Sequence, residues 1–141
     1  MKLLDVNVLV YAFRADVDRH REAAGWLADL ITTGEHFAVS RLALAAMVRI
    51  TTNRRTFKEP SSLPDAFGFC DDLLANANCT LIEPSAAHWD IFRRLCVKTD
   101  TMGPTTTDAW YAALAIEHDC EFITYDSDFA RFPGLRWRRP G

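Results

Sequence analysis

Four aspartates sit where their chemistry would converge: Asp5, Asp108, Asp126 and Asp128. Asp5 closes a short apolar run that begins at Lys2. Asp126 follows directly on the apolar run Glu121 to Thr124, with Asp128 two residues further. Asp108 falls in the first turn of a helix, after Thr105-Thr106-Thr107. Carboxylates brought to one spot repel one another, and a bound cation relieves that repulsion. A ligand set made only of oxygens suits Mg²⁺ or Mn²⁺ better than zinc. A hard ion on a few carboxylates, its shell completed by water and substrate oxygens, is an arrangement for phosphoryl chemistry. One ion acidifies a water to make the nucleophile, and a second, about 3.5–4 Å away, would stabilise the leaving oxygen.

Each acid also has a purely structural reading. Thr105-x-x-Asp108 has the spacing of a capping box, and Asp126-Ser127-Asp128 that of a turn. Asp5 is the hardest to explain this way, because a lone carboxylate ending a buried strand is desolvated without an evident partner.

The elements that must bring the acids together follow from the apolar pattern. Strands are predicted over Lys2 to Val6, His36 to Ser40, Cys79 to Ile82 and Glu121 to Thr124, with a last one at Leu135 to Trp137. Val8 to Phe13 continues the first apolar run as a short helix. Further helices are predicted over Arg19 to Ile31, stopped by Gly34, and over Arg41 to Thr51, Leu63 to Asn76, Ala86 to Lys98 and Thr106 to His118. Strands alternating with helices give an α/β fold with a mostly parallel sheet and helices on both sides. In such a sheet the strand C-terminal ends share one edge, where functional sites gather. Asp5 and Asp126 belong to that edge, and Asp108 joins them if its helix starts there.

The chain has 141 residues, 49% hydrophobic and 25% charged, which suits one domain over 1–141 with a genuine core. No apolar run nears the roughly 20 residues of a membrane span, and Asp5 interrupts any leader-like apolar start, so a cytoplasmic location with no membrane contact is expected. Cys70, Cys79, Cys96 and Cys120 form no C-x-x-C pair and read as reduced thiols. His20, His36, His88 and His118 lack the spacing of a zinc helix. A net charge of −3 excludes nucleic-acid binding through bulk positive charge, so any such contact must be local. Of the 16 cations only Lys2, Lys58 and Lys98 are lysines, and arginine suits bidentate phosphate contacts.

Three stretches together resemble the signature of PIN domains, and more narrowly the VapC toxins of bacterial toxin–antitoxin pairs: Leu4-Asp5-Val6-Asn7-Val8-Leu9, Thr107-Asp108-Ala109 with Ala112-Ala113, and Ile123-Thr124-Tyr125-Asp126-Ser127-Asp128-Phe129. Their order and spacing cover essentially the whole chain. The resemblance implies a three-layer fold, a short parallel sheet wrapped by helices. It implies an Mg²⁺- or Mn²⁺-dependent endoribonuclease acting on structured RNA such as tRNA or rRNA. It also implies inhibition by a small VapB-like antitoxin lying over the active edge, and a homodimer. Carried over by position, Asp5, Asp108 and Asp126 match the metal-binding catalytic acids and Asp128 a nearby auxiliary acid. Asn7, Thr107 and Thr124 would orient them or a water.

The chain departs from the pattern at one place. Most PIN domains carry a glutamate three residues before an arginine on the helix after the second strand. Arg49 is present, but Ala46 stands where that glutamate would be. The stretch Arg49-Ile50-Thr51-Thr52 matches an Arg-x-x-Thr pattern of similar sequences with a small residue here, which favours a variant subgroup with fewer fixed ligands. RNA contact is expected from Arg49, Arg54, Arg55 and Lys58, and from Arg131, Arg136, Arg138 and Arg139 after the last acid.

A phosphoacceptor receiver domain would need an acid pair after the first strand and a lysine at the end of the last. Asp5 is single there and no lysine follows Lys98, so that reading is set aside. A catalytically silent PIN-like binding module, favoured by Ala46, and a metal-dependent DNA nuclease are the other readings.

Overall fold

A computed structural model describes all residues, 1–141. Five parallel strands form one sheet: β1 (Lys2–Leu4), β2 (Phe37–Val39), β3 (Cys79–Leu81), β4 (Glu121–Ile123) and β5 (Trp137–Arg138), in the order β3-β2-β1-β4-β5. The expected mostly parallel sheet is therefore wholly parallel. Its inner strands are apolar on both faces, as a sheet covered by helices requires: Leu3, Leu4, Phe37, Ala38, Val39, Phe122 and Ile123 are all buried.

Six helices connect and cover the strands: α1 (Val6–Phe13), α2 (His20–Thr32), α3 (Arg41–Thr51), α4 (Leu63–Ala75), α5 (His88–Thr99) and α6 (Thr106–Glu117). They pack as two groups. In one, α1 lies against α2 and α3, and α3 against α4; in the other, α5 lies against α6. The result is the expected three-layer α/β arrangement. Helix α6 presents Ala109, Ala112, Ala113 and Ala115 to the core, all buried, and small residues allow a close approach between packed elements.

Boundary differences have local causes. Val6, expected in the first strand, instead begins α1, because the Asp5 side chain accepts a hydrogen bond from its backbone N–H and caps the helix. Helix α5 starts at His88 rather than Ala86. The carboxylate of Glu117 accepts the N–H groups of Ser85 and Ala87 at 2.8 and 2.9 Å and holds that segment as a separate turn. Strand β5 is shifted to Trp137–Arg138, since Leu135 is still in a turn, donating to the Phe132 carbonyl next to Gly134 at φ +85°. Gly34, at φ +73°, ends α2 in the left-handed conformation that glycine adopts readily.

All four cysteines are free. Three of the histidines serve the fold through main-chain carbonyls: His20 meets Tyr11, His88 meets Trp110 and His118 meets Glu83. No helix is long and apolar enough to cross a membrane.

Candidate active site

The site is built where β1 and β4 end side by side. Leu4 pairs with Ile123 in the ladder, and the Asp5 N–H continues it by donating to the Ile123 carbonyl at 2.9 Å. That register sets Thr124 directly beside Asp5. Both oxygens of the Asp5 carboxylate are held: Oδ1 accepts the Val6 N–H at 2.7 Å and Oδ2 accepts the Thr124 hydroxyl at 2.7 Å. The Thr124 Oγ1 in turn accepts Asn7 Nδ2 at 3.2 Å and the Asp126 N–H at 3.0 Å. Asn7 Oδ1 accepts the Tyr125 N–H at 3.3 Å. One buried hydroxyl thus ties the first acid, the third acid and Asn7 into a single frame.

Asp5 is 4% exposed. Burial raises its carboxyl pKa to about 6. The bonds from Thr124 and Val6 oppose that rise, and the charges of Asp108 and Asp126 add to it. Asp108 is raised too, first by partial burial, while Arg131 lowers it and Asp126 and Asp128 raise it. The three acids therefore feel one another, as the sequence predicts. Their side chains do not close on each other: no three His, Cys, Asp or Glu side chains stand close enough to form a ready-made metal cage.

Asp5, Asp108 and Asp126 line one cleft of about 480 Å³. Asn7 and Thr107 line it as well, with Arg49, Ala45 and Ala46 from α3 on the other wall. Ala46 leaves that wall without a carboxylate, as its identity requires. Asp128 is not on this cleft. It lines a neighbouring polar recess of about 460 Å³ together with Thr101 and Arg131, and Asp108 borders both spaces. Arg54 and Arg55 lie beyond the end of α3, exposed and outside the cleft lining, with the Arg55 N–H bound to Asn53.

Two structural readings of the acids are now decided. The capping box does not form: Thr105 makes no side-chain cap, and its hydroxyl donates to the Met102 carbonyl instead, within the 3₁₀ turn Gly103–Thr105 that precedes α6. Asp108 is left free of that duty. The Asp126 turn does form, with the Asp128 N–H donating to Asp126 Oδ1 at 2.9 Å, so Asp126 both shapes the turn and faces the cleft.

Sequence reasoning missed Tyr111, Ile50, Leu42 and Phe129, which supply the cleft's apolar walls. Tyr111 lies one helical turn after Asp108 on α6, a spacing that could have found it. Its phenol is pushed well above the usual range by burial and by the charge of Asp5.

A small parallel α/β domain with an aspartate following each of two adjacent strands and a third on the helix that leads into the second of them defines a class with an acid-lined sheet edge. The comparisons narrow that class. Residues 2–135 match the PIN domain. Ribonuclease VapC43 of Mycobacterium tuberculosis is 41% identical over 140 residues, covering 99% of this chain and 95% of the relative. Ribonuclease VapC25 of the same organism is 39% identical and covers 99% of each. The chain belongs to the PIN-domain family, among its VapC members. The same fold occurs in VapBC2 from Rickettsia felis, solved bound to a promoter DNA fragment (TM-score 0.70, 19% identity, 98% of this chain and 97% of that one). It occurs also in VapC20 of M. tuberculosis, described as a Sarcin-Ricin loop cleaving toxin (TM-score 0.70, 16% identity, 96% and 99%).

Proposed function

We propose that this chain is a divalent-metal-dependent endoribonuclease, the toxin of a VapBC-type pair, with Asp5, Asp108 and Asp126 as its catalytic, metal-holding acids. The observation that carries the reading is Asp5. Its carboxylate is buried, its oxygens are fixed by Thr124 and Val6, and it is loaded with the negative charge of two further acids. A fold gains nothing from such charge unless something positive is meant to meet it.

The donor set fits Mg²⁺ or Mn²⁺: it is all oxygen, with no imidazole or thiol among the cleft residues. When bound, such an ion neutralises charge developing on a phosphodiester and makes water a stronger acid. The remaining work falls to the chain. Thr124 and Asn7 hold Asp5 and the Asp126 backbone in register; Thr107 borders the same space. Asp128 acts as an auxiliary acid from the recess side of Asp108. Arg49 meets backbone phosphate, and Leu42, Ile50, Tyr111 and Phe129 give bases an apolar surface and restrict water. Arg54 and Arg55 extend the positive surface beyond the cleft.

The relatives' names give RNA as the substrate, and the family resemblance narrows it to structured RNA, tRNA or rRNA. The partner is a VapB-like antitoxin covering the acidic edge, and the working unit is a homodimer in the cytoplasm. Residues 1–141 act as one domain. Ala46 favours one second reading, a catalytically silent PIN-like module that binds RNA without cutting it.

Incubating purified protein, free of antitoxin, with total tRNA and rRNA in Mg²⁺, Mn²⁺ or EDTA, beside Asp5→Asn, decides between them. Metal-dependent fragments that vanish in the variant support the nuclease. RNA binding without fragments at any metal concentration supports the silent module.

A further inference from the structure

One cation of this chain, Arg14, is fully committed. Arg14 donates to the Glu59 carbonyl, to Ser61 and twice to Asp16, and its guanidinium lies over Phe57. It therefore serves the fold, although it borders the largest groove, about 720 Å³, whose other charged residues are acids. Arg41, Arg136 and Arg138 make exposed surface pairs with Glu83, Asp119 and Glu121. Arg131 differs. Its guanidinium lies 4.2 Å from the centroid of the Phe132 ring, and one NH1 hydrogen is given to the Asp128 carbonyl at 2.8 Å. Phe132 is itself buried, so the group is well placed. Its only further contact is a long one, NH2 to Asp108 Oδ2 at 3.4 Å, between side chains each 30% exposed.

A guanidinium has five N–H donors in a planar fork, and these two contacts engage two of them. Arg131 borders a recess whose lining has no apolar side chain: the acids Asp100, Asp108 and Asp128 stand there with the hydroxyls of Thr99, Thr101, Thr105 and Ser127. Among the residues lining that recess Arg131 is the only cation, and Asp108 is the wall it shares with the acid cleft. A pre-oriented, under-used fork, the one positive group among the hydroxyls and acids of that space, is suited to a bidentate phosphate contact.

Building on the nuclease reading above, we propose that Arg131 is a phosphate-binding residue that seats the RNA strand on the far side of Asp108 from Arg49. The strand then crosses the acids, with one backbone phosphate on Arg49 in the cleft and another on Arg131 in the recess. Binding exchanges the weak Asp108 contact for a phosphate contact and leaves the Asp108 carboxylate to the site. Arg131 is a binding residue in this scheme, and no bond is made or broken at it.

The test uses the full-length protein in two formats. In EDTA, Asp5→Asn and Asp5→Asn/Arg131→Ala are titrated with a fluorescent single-stranded RNA over a range of salt concentrations. Loss of one phosphate contact lowers the slope of log K against log[salt] by about 0.7 and weakens binding several-fold; Arg131→Lys restores the slope and only part of the affinity. In cleavage assays Arg131→Ala raises KM with kcat and the metal concentration for half-maximal rate unchanged. An unchanged salt slope and KM, in a protein that still cuts RNA, overturns this role for Arg131 and leaves the nuclease reading standing. A raised metal requirement with normal RNA binding overturns it in favour of Arg131 as a support for Asp108. If the parent protein neither binds nor cuts RNA, both readings fall.

Discussion

Thr124 donates its hydroxyl to the buried carboxylate of Asp5 at 2.7 Å across a sequence separation of 119 residues, and the same oxygen accepts the N–H of Asp126. A single side chain thus fixes the orientation of one acid and the backbone of another. Removing it while keeping its volume isolates that role. Thr124→Val leaves Asp5 with one donor fewer and lets Asp126 drift. Partners of this kind are worth about 10- to 100-fold in metal affinity or activity. RNA cleavage should fall by that order in Thr124→Val and recover in Thr124→Ser; equal activity in all three proteins would remove Thr124 from the site.

The carboxyl of Asp5 has its pKa raised to about 6 from 3.8, so the folded state holds its proton more tightly than the unfolded chain does. Stability from this group is complete below the unfolded value and is lost as pH rises through about 6. Above that pH the metal-free protein carries a buried charge whose cost is on the order of 3 kcal/mol. Asp5→Asn keeps an oxygen for Thr124 or Val6 and removes the charge. It should melt higher than the parent at pH 7.5 in EDTA and show a flatter stability profile between pH 4 and 6.5, while losing cleavage. Matching profiles by urea titration would contradict the assignment.

The same linkage predicts how a cation acts. At the proposed metal site Mn²⁺ or Mg²⁺ would compete with the proton on Asp5, and it should raise the melting temperature at pH 7.5 far more than at pH 5. The Asp5→Asn variant should show little response at either pH. Differential scanning fluorimetry with and without EDTA reads both effects.

Ala46 stands on the cleft wall facing the acids. Ala46→Glu adds a fourth oxygen ligand there and should lower the Mn²⁺ concentration for half-maximal cleavage. Without metal it adds like charge, so the variant should be less stable than the parent in EDTA and regain stability on titration with Mn²⁺. No shift in metal requirement would show that α3 does not share the site.

Glu117 serves the scaffold alone. Its carboxylate accepts two backbone N–H groups ahead of α5 while the side chain is 8% exposed. Glu117→Ala should cost about 1–3 kcal/mol in urea unfolding and leave KM and kcat unchanged at a temperature where the protein is folded.

How much of this was readable beforehand depended on the range of the interaction. Helix α3 matches its expected bounds, Arg41 to Thr51, because Ser40 caps it through the Ala43 N–H and the apolar period is regular. Asp5 and Asp126 could be placed on one edge because parallel strands align their ends. The capping box at Thr105 was misleading because a local rival, the Met102 carbonyl, takes the hydroxyl. Of the cleft walls only Tyr111 has a sequence signal, its spacing from Asp108, and the division of the acids between two spaces has none. Tyr111, Phe129 and Ile50 meet only through packing between elements distant in sequence, and Asp128 turns away from Asp5 through a single 3₁₀ turn, Ser127–Arg131. In the sequence Arg131 is one of several cations after the last acid; its hold on Phe132 and Asp108 is what separates it from the rest.

The strand order carries a consequence for how such a protein is made. Strand β1 is made before the strands on either side of it, since it lies between β2 and β4, and the Thr124 hydroxyl that orients Asp5 follows β4. A growing chain therefore carries Asp5 without its Thr124 hydrogen bond until β4 has been made. The acidic edge is thus assembled only once β4 has joined β1, and a nascent chain that stops short of Thr124 has no organised site.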